Sequence, residues 1–194
     1  MAMSQSHLRR LFSQTVRQME HHGITFQGGL SATELAAIEL RFGFQFPPDL
    51  AFFLSFALPV SLGFPNWRRP DAESVWRSMD WPADGICFDI DQNNFWRTEW
   101  GVRPSTSARA CEHARAQLAR APRLVPVYKH RYIPSEPHEY GNPVLSVYQT
   151  DIIYYAPDLL AYLAREFDLD LRLPEPVPIR PVPYWSEWIG SDNP

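Results

Sequence analysis

Lysine is nearly missing from this chain: of 18 basic residues only Lys129 is a lysine, the others being arginine. Those positive charges are outnumbered by 22 acidic residues, for a formal net charge of -4. Binding nucleic acid by neutralising phosphates needs a basic face, so this balance argues against a nucleic-acid partner. Cysteine is scarce too, with only Cys87 and Cys111. Two cysteines without metal-ligand spacing exclude a disulfide framework and a zinc site, and they read as two buried, reduced thiols. The nine glycines never gather into a phosphate-cradling loop, and no G-x-S-x-G nucleophile elbow occurs. No apolar run approaches the roughly 18 residues of a membrane span. Arg9 and Arg10 resemble the start of a twin-arginine export signal, but Ser13, Gln14, Thr15 and Arg17 deny it an apolar core. These absences lead to the expectation of a cytoplasmic protein with no membrane contact and no cofactor or metal.

What is present is apolar and aromatic. Hydrophobic residues make up 45% of the 194, aromatic ones 14%, and there are 19 prolines. That length suits one domain with an appended arm, expected as residues 1–168 and 169–194. Arginine, alanine and proline also share GC-rich codons, which points to a bacterial coding sequence.

Periodicity supplies the elements. Leu8, Leu11, Phe12, Thr15 and Met19 fall at helical spacing and predict a first helix over about 6–22, ended by Gly23. Ser31 with Glu34 forms a capping box, and Leu30 with Leu35 the hydrophobic staple, of a second helix closed by Gly43. The extended Phe44–Asp49 stretch leads into a third helix carrying Leu50, Phe53 and Leu54 and stopped by Pro59. A short helix is expected over about 72–79, followed by a strand at Ile86–Asp91, where Ile86, Phe88 and Ile90 alternate with Cys87, Asp89 and Asp91. An Ala/Arg helix follows through about Arg120. Leu124–Tyr128 reads as a strand whose Pro126 requires an edge position or a bulge, with Tyr132 and Ile133 starting its partner. The densest signal is Gly141–Phe167: strands at Val144–Tyr148 and Ile152–Tyr155 joined at Gln149–Asp151, then a helix with Leu160, Leu163 and Phe167 on one side. Pro174, Pro176, Pro178, Pro181 and Pro183 predict a polyproline arm ending in Tyr184, Trp185 and Trp188, with these rings docked on the chain's own domain.

In that order, the segments LSATELAAIELRFG, FQFPPDLAFFLSF, ICFDI, LVPVY and NPVLSVYQTDIIYYAPDLLAYLAREF resemble the SUKH superfamily, which includes fungal cell-wall-assembly regulators and bacterial immunity proteins of polymorphic toxin systems. The resemblance covers about residues 30–168. It implies an α+β domain with a mainly antiparallel central sheet flanked by helices, acting as a non-enzymatic protein-binding scaffold. Members of the immunity type cover a cognate toxin, commonly a nuclease or deaminase. The aromatic stretch from Phe64 to Trp81, the Ala/Arg helix and the proline arm depart from a minimal member.

Candidate contact residues follow from composition. On the strand reading, Asp89 and Asp91 at i and i+2 share one side, and with Asn93, Asn94 and Trp96 they would form an acidic and aromatic rim. His130, His138 and Glu139 would form a second rim, and Trp67, beside Arg68 and Arg69, is a further contact candidate. The expected partner is a protein, a cognate toxin domain, bound by a monomer or weak dimer. A regulatory scaffold without a toxin is the alternative. A metal-dependent hydrolase using Asp89 and Asp91 is a third reading.

Overall fold

The computed structural model describes residues 5–174 and 178–189. The first helix, α1 (Gln5–His21), buries Leu8, Leu11, Phe12, Thr15, Val16 and Met19, the stripe that its spacing predicts. A short strand, β1 (Phe26–Gly28), leads to α2 (Ala32–Phe42). The Ser31 side chain caps α2 by accepting from the Glu34 N–H, and the Glu34 carboxylate accepts from the Ser31 N–H at 2.8 Å. The helix ends at Gly43, whose φ of 67° suits a residue without a Cβ. Helix α3 (Pro48–Phe56) starts on Pro48, where a missing N–H costs nothing. It runs directly into β2 (Ala57–Pro59), which pairs antiparallel with β1 in a ribbon too short to leave a sequence signal.

The central sheet holds β3 (Leu124–Tyr128), β4 (Arg131–Pro134), β5 (Val144–Tyr148) and β6 (Asp151–Ala156), all antiparallel in the order β3-β4-β5-β6. β3 is an edge strand with a register shift between Pro126 and Tyr128, as its proline requires. A two-residue turn joins β5 to β6, with Tyr148 paired to Asp151 and Gln149 at a φ of 56°. Asp158 then caps α6 (Leu159–Glu166) by accepting from the Ala161 N–H at 2.8 Å.

Alternation along the strands divides the core between two faces. Val125, Val127, Ile133 and Val144 face the cluster built from α1, α2, α3 and α6. Leu124, Tyr132, Leu145, Val147 and Ile152 face the opposite way, where Val182, Trp185 and Ile189 of the C-terminal segment pack on them. The Trp185 indole N–H donates to the Pro122 carbonyl at 2.8 Å, and that of Trp188 donates to the Thr150 carbonyl at 3.1 Å. The terminal rings therefore dock on the chain's own sheet, with Trp185 and Trp188 in a single helical turn, α7 (Trp185–Trp188). The approach to α7 contains neither helix nor strand at 171–174 and 178–182, and Pro176 of the expected polyproline stretch lies outside the described residues. The architecture is α+β.

One element overturns its expectation. Ile86–Asp91 is not a strand; it belongs to α4 (Glu73–Gln92), a single helix that continues through Pro82 and Gly85. Val75, Pro82, Ile86, Asp89 and Ile90 are its buried residues, a helical pattern in which the alternation of Ile86, Phe88 and Ile90 is incidental. Beyond α4 lie a 3₁₀ turn at Thr98–Trp100 and α5 (Ser107–Leu118), capped by the Thr106 side chain. Ile86 and Ile90 of α4 form a third cluster with Trp100 and with Ala110 and Ala114 of α5.

Candidate functional site

The two residues that should interrupt α4 are the ones that seat it on the sheet. Pro82 has no N–H, so the Ser78 carbonyl, its i-4 acceptor, loses its helical donor. The Tyr132 hydroxyl on β4 donates to that carbonyl at 2.8 Å. One turn along, the Trp81 indole N–H donates to the Val147 carbonyl on β5 at 3.2 Å. At Gly85 the helix backbone meets the β5–β6 turn so closely that a Cβ would lie 2.8 Å from Gln149 Cα. A turn further on, Asp89 accepts from the Thr150 N–H at 2.9 Å and from the Thr150 hydroxyl and Asn93 side-chain amide at 2.6 Å each. Positions 78, 81, 85 and 89 lie along one side of the helix, so α4 is fastened to β4 and to the β5–β6 hairpin over about three turns.

This docking sets a group of large aromatic side chains at the surface. Trp81, Phe88 and Tyr148 remain 42%, 50% and 54% exposed. Trp81 and Phe88, seven residues apart, share a helix face with Gly85 between them. Trp81 and Tyr148 ring centroids are 6.3 Å apart, and His130 meets Tyr148 edge-on at 6.4 Å. Asp80, Asp84, Asp91 and Asp151 are exposed on the same two elements; Asp84 is ion-paired with Arg115. Burial first, then the charge of Arg131, lowers the His130 pKa, which keeps the ring neutral near neutrality.

The residues expected to form the contact rims are dispersed. Asp89 is 4% exposed and does not share a side with Asp91, because i and i+2 on a helix point about 200° apart. Burial disfavours its charge, but the bonds from Thr150 and Asn93 outweigh that and hold its pKa below the usual range. Asp89 is a structural tether rather than half of an acid pair, and Asp91 is exposed beside Gln92. Asn93 is the C-cap of α4, and Asn94 follows at a φ of 54°. Trp96 is half-buried, edge-on to Trp100 at 5.3 Å, with its N–H donated to the Gly101 carbonyl.

Trp67 is a clear correction. At 1% exposure it is core, packed edge-on against Phe42, Phe44 and Phe46. Its neighbour Arg68 is bound to Glu34 and to the Gly28 and Gly29 carbonyls. The second rim is split, because His130 and His138 lie at opposite ends of β4. His138 meets the Phe46 carbonyl at 3.2 Å, and Glu139 pairs with Arg180 at 3.2 Å. Only His130 adjoins the aromatic face. Sequence reasoning missed Phe88 and Tyr148 and did not select Trp81 from the clustered tryptophans; the 81, 85, 88 spacing would have revealed Trp81 and Phe88 had the helix been carried past Pro82.

A cleft of about 730 Å³ lies elsewhere, walled by α2, the α5–β3 turn and the loop after β4, with Glu39, Leu40, Arg120, Arg123, Ser135 and His138 among its lining. No cluster of three or more His, Cys, Asp or Glu side chains suited to a metal occurs among the described residues. No described helix is long and apolar enough to cross a membrane. No family model, curated protein or solved structure matches the chain.

Proposed function

We propose that the protein is a non-enzymatic, SUKH-like binding domain that acts in the bacterial cytoplasm as an immunity protein, covering the active site of a cognate nuclease or deaminase toxin. The observation that carries this reading is the aromatic face of Trp81, Phe88 and Tyr148. Exposed tryptophan and tyrosine dominate binding hot spots, and here their backbones are fixed by the α4–hairpin tethers, so little ordering cost remains for association. The acidic side chains around them suit a basic or metal-bearing toxin site. The capped α2, the Pro-Pro-Asp-Leu start of α3, and the β5–β6–α6 unit take the forms that the resemblance implies; the ICFDI segment departs from it by being helical.

Co-expression with the product of the adjacent reading frame tests the proposal. A complex should form and rescue the host from toxicity. The W81A/Y148A double variant should weaken that complex at least about thirtyfold, since a single hot-spot truncation already costs about 2 kcal/mol or more. Absence of both complex and rescue defeats the immunity reading. A complex without rescue reassigns the protein to the scaffold class.

A further inference from the structure

We propose that Cys87 and Cys111 are an oxidation site that closes into one intramolecular disulfide, clamping α4 to α5. They are the chain's only cysteines, and the fold brings them face to face where α4 packs along α5. The Cys111 Sγ lies 3.5 Å from the Cys87 carbonyl oxygen, and the Cys87 Sγ 3.9 Å from the Cys111 carbonyl oxygen. Such a reciprocal arrangement requires each side chain to project onto the other residue's backbone. Ala110 and Ala114, both fully buried, permit that approach because they carry no bulk between the helices.

Sequence reading expects two buried, reduced thiols, whereas both are only half-buried and within reach of a small oxidant. Burial, and then the adjacent Cys111 thiol, push the Cys87 pKa up to about 12. The oxidant is a peroxide. One sulfur of the pair, as its thiolate, attacks one oxygen of hydrogen peroxide, the O–O bond breaks, and water leaves behind a sulfenic acid. The sulfur of the other cysteine then attacks that sulfur, its proton leaves with the hydroxyl as a second water, and the S–S bond forms. Two thiols are oxidised by two electrons and one peroxide is reduced to two waters. The inference stands independently of the partner-binding reading.

The test is intact-mass measurement on the reduced, full-length protein before and after hydrogen peroxide. Loss of two hydrogens, a cross-linked peptide containing both cysteines, and reversal by dithiothreitol are expected. The oxidised protein should melt about 5–10 °C higher, because the bridge restrains the intervening segment in the unfolded chain. C87S and C111S should show neither change. An unchanged mass, sulfinic or sulfonic adducts on separate cysteines, or a disulfide between two chains would each overturn the proposal, and none of these readouts requires a variant to fold.

Discussion

The Pro82–Ser78–Tyr132 arrangement makes a quantitative prediction. Tyr132 is 1% exposed and its hydroxyl donates to a carbonyl that Pro82 leaves without a helical donor. Removing the hydroxyl in Y132F strands a partly buried acceptor, which costs about 1–2 kcal/mol. In a P82A background residue 82 regains an N–H, the Ser78 carbonyl recovers its intrahelical bond, and the Tyr132 hydroxyl becomes the redundant member. Y132F should then cost about 1 kcal/mol less than it does beside Pro82, a coupling of the size seen for side chains sharing one hydrogen-bond network. Urea denaturation of the four proteins in the double-mutant cycle measures it. An equal cost of Y132F in both backgrounds would refute the claim that the tyrosine serves the acceptor that proline exposed.

Three further outcomes follow from the same structure. G85A should lower stability by about 1–2 kcal/mol, because the clash of its Cβ with the Gln149 backbone outweighs the roughly 1 kcal/mol gain in helix propensity. A higher urea midpoint for G85A would exclude that close approach. W185A should cost about 3–5 kcal/mol, as expected for emptying a buried indole site, and truncation after residue 168 should lower the melting temperature at least as far; a truncated chain that melts unchanged would show the C-terminal segment to be dispensable. Asp49, 5% exposed, has its carboxyl pushed up to about 6, chiefly by burial, against hydrogen bonds from the Gly141 and Leu50 N–H groups. Since the unfolded chain releases this proton near pH 3.8, stability is fully present below that pH and is lost as pH rises through about 6. D49N should therefore gain about 2–3 kcal/mol relative to the native protein between pH 4 and pH 8, and a pH-independent difference in urea midpoints would contradict it.

Sequence alone determined the elements whose signals are local. The Ser31–Glu34 box, the αL glycine at 43, the proline-marked edge strand and the change of period at Tyr155 depend on residues within a turn or two of one another, and each appears where its chemistry requires. It also implied that the terminal rings would dock at home. What only the tertiary structure decided is the path of the chain from 73 to 92 and, with it, the surface. Pro82 and Gly85 signal breaks when only local propensity is weighed. Tyr132, 50 residues further on, satisfies the carbonyl that the proline frees, and Gln149 fills the space that the glycine leaves. Those contacts convert apparent breakers into docking points, bury Asp89, and bring Trp81, Phe88 and Tyr148 to one exposed face. A hydrogen-bond donor or a close backbone supplied from a distant strand cannot be read from local sequence, because its contribution exists only once the hairpin has been formed and laid against the helix.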